Sequence, residues 1–100
     1  MNITDIKVRK IYTEGKMRAL VSLTIDGDLA VHDIKVIEGS ERLFVAMPSR
    51  REENGTFRDI VHPITPLARH DLERAILDEY ARVLAEHDAA SEPAQAPEVQ

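Results

Sequence analysis

Two adjacent arginines, Arg50 and Arg51, stand in the stretch LFVAMPSRREENGTFRD, residues 43–59, between an apolar run that stops at Pro48 and an Asn54-Gly55 turn. A guanidinium is a rigid planar fork of donors that fits a phosphate or the acceptor edge of guanine. With a second alternating run beginning at Phe57, the stretch reads as a hairpin that lifts the two arginines off a rigid base, and two in series on its loop would reach adjacent phosphates. The plainer alternative is a solvated loop whose charge is cancelled by the following Glu52 and Glu53. A second group of cations, Lys7, Arg9, Lys10, Lys16 and Arg18, falls on the first two alternating segments. Lys7 and Arg9 would share a strand face, with Arg18 across from them. Lys7 and Lys10 read more simply as edge protection against unwanted strand pairing. Arg18 is the better candidate, as the only charge in a strand otherwise apolar and hydroxylic.

Acid–base and metal chemistry find less support. His32-Asp33 sets an imidazole beside a carboxylate, but neighbours on a strand point to opposite faces, so Asp33 is poorly placed to orient His32. His62 is followed by Pro63, and no serine has the flanking glycines of a nucleophile elbow, Ser49 included. His32, His62, His70 and His87 lack the His-Glu-x-x-His spacing of a zinc helix. The absence of cysteine excludes a disulfide framework, a thiolate metal site and a cysteine nucleophile. Gly15, Gly27, Gly39 and Gly55 are isolated turn glycines rather than a phosphate loop, and four aromatic residues are too few for a base-stacking platform. The expectation is a non-enzyme with no cofactor, no metal and no small-molecule substrate.

The net charge of −5 is unevenly placed. Residues 1–70 carry 11 Lys/Arg against 10 Asp/Glu, whereas residues 71–100 carry 2 against 8. The acidic third would weaken indiscriminate binding to a polyanion without excluding a local basic site. No segment reads as a signal peptide and no apolar run approaches the ~20 residues of a bilayer span, so no membrane role and a cytoplasmic address are expected.

The elements that must position these residues follow from periodicity. Residues 2–12 read as a strand whose alternation slips once, which suggests a bulge or twisted edge. Met17, Ala19, Val21, Leu23 and Ile25 alternate cleanly, as in a half-buried antiparallel strand. Asp26-Gly27-Asp28 is a tight-turn signal before a third strand, residues 29–38. Residues 42–47 form a fourth and 57–64 a fifth that ends at Pro63. Thr65-Pro66 is a helix start with threonine as cap, and Leu72, Ala75, Ile76, Tyr80, Val83 and Leu84 form one apolar stripe. Arg69–Glu73, Arg74–Asp78 and Arg82–Glu86 are spaced as outer-face ion pairs. From Ala89 the composition cannot bury enough apolar surface to fold. The expected architecture is α+β: a five-stranded antiparallel meander covered by one helix of about five turns. Residues 1–88 form the domain and 89–100 a disordered tail. Open strand edges point to a homodimer built by edge or sheet contacts.

Several long words of this sequence resemble the stage V sporulation protein G (SpoVG) family. They are TEGKMRA at 13–19, VHDIKVI at 31–37, LFVAMPSRR at 43–51, Gly55-x-Phe57-Arg58-Asp59-Ile60 and His62-Pro63-Ile64. The match runs to about Tyr80, roughly four-fifths of the chain. The resemblance implies a small bacterial cytoplasmic regulator that binds DNA, and in some members RNA, as a homodimer. It also implies a link to asymmetric septation in sporulating bacteria and a broader role in gene expression elsewhere. The family's basic pair falls on Arg50 and Arg51, with Arg where Lys is usual at the first position. Glu52-Glu53 departs from the more neutral sequence that the family would show. Arg50 and Arg51 are therefore expected as primary nucleic-acid contacts, with Arg18, Arg58 and Arg69 assisting and Asp59 a buried partner for a neighbouring cation. A module docking onto the division or transcription machinery is the alternative.

Overall fold

Alternation along the chain becomes an antiparallel sheet in the order β1-β2-β3-β4, formed by Ile3–Ile11, Met17–Ile25, Leu29–Glu38 and Leu43–Ala46. The structure is a computed structural model that describes the backbone of residues 1–91 and the side chains of residues 1–88. The cleanest alternation, in β2, sends Ala19, Val21 and Leu23 to one face, where they meet Ile34, Val36, Val45 and Met47. The turn between β2 and β3 has positive φ at both Asp26 and Gly27, as a tight hairpin requires.

The helix α1, Pro66–Ser91, closes this face. Thr65 caps it: the Ala68 amide donates to Thr65 Oγ1 at 3.1 Å, and Pro66 occupies a position whose N–H would have had no partner. Leu72, Ile76 and Tyr80 enter the core at helical spacing, and the helix approaches both edge strands, β1 and β4, so it lies across the whole sheet. Burial pushes the Tyr80 phenol above its ordinary range.

Four expectations are corrected. The sheet has four strands, not five: Ser49–Arg51 (β5) and Phe57–Asp59 (β6) pair only with each other as a separate ribbon. Pro48 explains the split, since it lacks an N–H and fixes φ, so the chain leaves the ladder beyond Ala46. The last strand ends at Asp59 rather than Ile64, because Pro63 and its restricted neighbour His62 cannot continue a ladder. The helix spans 26 residues, about seven turns, and includes Ala89, Ala90 and Ser91 from the segment expected as tail. Alanine is the best helix former and the first proline comes only at Pro93, so nothing in the sequence stops the helix at 88. The remaining tail expectation, 92–100, lies outside the described residues. Of the three ion pairs, Arg74–Asp78 (3.4 Å) and Arg82–Glu86 (2.7 Å) form. Glu73 reaches Arg42 of the β3–β4 connection at 4.0 Å instead of Arg69.

The expected phase slip in β1 is present twice, between Ile3 and Asp5 and between Val8 and Lys10. Two further shifts occur against β3, between Met17 and Ala19 and between Val21 and Leu23. Each re-aims a side chain that regular alternation would have placed elsewhere.

Candidate nucleic-acid interface

The arginine pair lies on a strand, not on a loop. Ser49 pairs with Asp59, Arg50 with Arg58 and Arg51 with Phe57. The Ile60 amide extends the ladder to the Pro48 carbonyl at 2.7 Å. The turn at its tip is set by local chemistry. Gly55 N–H donates to the Glu52 carbonyl and Glu52 N–H to the Thr56 carbonyl, at 2.9 and 2.8 Å. Asn54 Oδ1 accepts from both the amide and the hydroxyl of Thr56, at 3.0 and 2.7 Å. Gly55 has φ +88°, which fits the left-handed position that closes a three-residue hairpin loop.

Strand placement changes what the two arginines can do. Successive residues on a strand face opposite ways, so Arg50 and Arg51 do not present a double fork to one side. Directly opposed residues share a face, so Arg50 is joined by Arg58 on one side of the ribbon and Arg51 by Phe57 on the other. The expected hairpin about Asn54-Gly55 is present, but its paired arm takes in Arg50 and Arg51, expected on its loop; counting outward from the turn gives that pairing.

Glu52 and Glu53 line one crevice with Arg50, Arg51 and Asn54. Glu52 lies 3.8 Å from Arg58 Nε. Neither Arg50 nor Arg51 forms an ion pair among the described residues. Both are exposed. Asp59, expected as a buried counter-charge, is exposed and forms no ion pair among the described residues. It sits at the base of the ribbon opposite Ser49.

The assisting residues divide. Arg58 belongs to the ribbon. Arg69 is exposed in the first turns of α1, on a different element. Arg18 occupies a bulge and is taken up structurally: its Nε donates to Glu38 Oε1 at 3.0 Å and its Nη1 to the Thr13 carbonyl at 3.4 Å. It clamps the β1–β2 turn to the end of β3 rather than lying across from Lys7 and Arg9. The structure thus brings together Arg50, Arg51 and Arg58, and leaves Arg18 and Arg69 apart from them.

The imidazoles are also separate. His32 Nδ1 lies 2.9 Å from Ser22 Oγ, and Asp33 is not its partner. His62 Nδ1 lies 3.0 Å from the Pro63 carbonyl, and the two rings share no crevice. Sequence reasoning missed the Ser22 contact because it spans a bulge in β3.

From the ribbon's Phe57 (72% exposed) onward the chain exposes apolar side chains, with Ile60 (66%), Ile64 (87%) and Leu67 (70%) following. Among the described residues no helix is long and apolar enough to cross a membrane.

Comparison with known proteins converges on one family. A profile of the SpoVG family matches residues 1–82. A protein of Clostridium perfringens is 57% identical over 83 residues, 83% of this chain and 92% of its own length. One of Clostridium acetobutylicum is 52% identical over 92 residues, covering 92% and 97%. One of Lachnospira eligens is 57% identical over 82 residues, covering 82% and 93%. All three carry the name "Putative septation protein SpoVG". The profile covers every strand and most of α1, including the whole ribbon with Arg50, Arg51 and Arg58. The chain belongs to the SpoVG family.

Proposed function

We propose that this chain is a bacterial regulator that binds DNA, and RNA as a second target, as a cytoplasmic homodimer serving septation and gene expression. The observation that carries the reading is the β5–β6 ribbon with three arginines, two of them free of ion pairs. Placing Arg50 directly opposite Arg58 costs repulsion in the free protein, and a phosphate between them would relieve it. The DNA major groove, about 12 Å wide, admits a two-stranded ribbon. The septation role rests on the names of the relatives.

Two protomers would double the arginine set and give about 4–8 phosphate contacts, hence a steep salt dependence. The Arg50→Ala/Arg51→Ala double variant is expected to lose oligonucleotide binding while its melting temperature and oligomeric state stay unchanged. Binding retained at equal stability would place the site elsewhere.

The exposed apolar residues Phe57, Ile60, Ile64 and Leu67 support the homodimer, since a second copy would remove them from water. Sedimentation at micromolar concentration is expected to give a dimer, and a monomer would refute it. The same residues favour a second reading, a docking module for division or transcription proteins. A salt titration separates the readings: phosphate binding falls steeply with salt, and an apolar interface barely responds.

A further inference from the structure

The sheet has a second face. Helix α1 covers one side, and the other carries no element of the described residues. The register shows what stands on it. Val8 opposes Val21 and Ile11 opposes Ala19, all on the core side, and between them β1 has two residues where β2 has one. This bulge turns both Arg9 and Lys10 to the open side, alongside Lys7, which opposes Ser22. Lys10 opposes Leu20, which opposes Lys35 in the next strand, so the two lysines share one cross-strand row.

At the centre lies Ser22, only 7% exposed although no helix covers it. Its Oγ accepts from Arg9 Nε at 3.3 Å and contacts His32 Nδ1 at 2.9 Å. The hydroxyl thus fixes the orientation of a guanidinium and an imidazole on the open face. Edge protection accounts for cations on β1, an outer strand, but not for Lys35 on interior β3 or for a buried serine holding Arg9. The face carries two carboxylates as well. Asp5 is occupied by Lys7 at 3.5 Å, and Asp33 occupies the β3 bulge. Arg9, Lys10 and Lys35 form no ion pair among the described residues.

We propose that the open sheet face, built from Arg9, Lys10 and Lys35 around Ser22 and His32, is a second contact surface for the phosphate backbone of a nucleic acid. Charge complementarity carries the assignment: three cations from two strands, none in an ion pair among the described residues although Lys10 lies 5.1 Å from the Tyr12 ring centroid, stand on one side, while residues 71–88 of α1 present two cations against six carboxylates on the other. A bound polyanion is therefore drawn to the open face and repelled from the helix. An anionic membrane is the poorer occupant. Interfacial binding needs large, strongly exposed apolar side chains among the cations, whereas Leu20, Ile37 and Phe44 on this face are part-buried and the strongly exposed Phe57, Ile60, Ile64 and Leu67 belong to segments outside the sheet. The proposal rests on the nucleic-acid reading above and adds a surface to it.

The test uses the full chain and a duplex oligonucleotide, with affinity followed from about 50 to about 200 mM salt. Lys10→Gln/Lys35→Gln should lower the slope of log affinity against log salt by about 1.8 for each protomer engaged, from about 0.9 per phosphate contact. Over that fourfold salt range the wild type then loses about tenfold more affinity than the variant for each protomer engaged. Arg9→Lys, which keeps the charge but loses the oriented Nε–H, should weaken binding with the slope unchanged. An unchanged slope in the lysine variant, at unchanged melting temperature, overturns the proposal while leaving the ribbon intact as a site. If Arg50→Ala/Arg51→Ala binds normally and the lysine variant does not, the ribbon reading fails and this one stands. If the lysine variant loses only binding to phosphatidylcholine vesicles containing phosphatidylserine, the face is a lipid reader and the proposal is wrong.

Discussion

Arg50 opposite Arg58 makes a charge arrangement that the free protein would be better without, and this has a measurable sign. The Cβ atoms of a directly opposed strand pair lie about 5 Å apart, and two guanidinium heads can splay to about 7 Å. Repulsion at that distance is about 0.6 kcal/mol in water, and about 0.5 kcal/mol remains at about 0.01 M salt, where the screening length is ~30 Å. Arg50→Gln removes it. Arg58 is the worse choice, because its removal also frees Glu52, 3.8 Å away. The ribbon packs little against the rest of the chain, so the effect belongs to local opening and not to global melting. The reporters are the Glu52 and Ile60 amides, bonded to the Thr56 and Pro48 carbonyls. Their hydrogen exchange should slow about twofold in Arg50→Gln at low salt, since ~1.4 kcal/mol is tenfold. The gain should vanish near 1 M salt, where screening acts within ~3 Å. The same variant should bind oligonucleotide more weakly. Faster exchange at both amides, or slowing that persists in high salt, would refute the opposed-charge account.

The packing and cap of the helix are equally open to test. Ile76 is fully buried on the sheet-facing side of α1, so Ile76→Ala should cost about 2–5 kcal/mol, a fall of 10 °C or more in melting temperature. A smaller change in scanning calorimetry would mean that the helix does not dock on the sheet as described. Thr65→Ala should cost about 1 kcal/mol, and Thr65→Ser almost nothing, because serine keeps the oxygen that accepts the Ala68 amide. Equal melting temperatures for the two variants would remove Thr65 as the cap.

What the sequence showed, and what it concealed, divides by the range of the cause. The β2 alternation, the Asp26-Gly27 turn and the Thr65-Pro66 helix start are local, and each stands where the residues place it. Pro48 was legible as a stop, yet whether the chain beyond it loops out or pairs with itself depends on residues ten positions downstream. The opposition of Arg50 and Arg58 followed from simple counting around Asn54-Gly55, but only once both arms were taken as strands. The open face was harder. Alternation in β1 signals one slip, and no local rule says that it falls at Arg9-Lys10 or that Lys35 lies in the same row. Arg18 shows the opposite failure: a lone charge in an apolar strand invited a functional role, and Glu38, twenty residues away, claims it.

The extra residue in β1 bears on how this gene can change length. Away from the two bulges of the strand, losing one codon would flip every later side chain, sending Ile11 outward and a lysine into the core. At Arg9 or Lys10 the outcome differs. Excising either residue leaves Val8 against Val21 and Ile11 against Ala19, and straightens the strand with a single cation facing Leu20. The bulge is thus a place in β1 where inheritance can subtract a residue and keep the layer of apolar contacts beneath it. Variants lacking that codon would be heritable, folded and poorer in positive charge, a graded setting of the open face that point substitution alone does not supply.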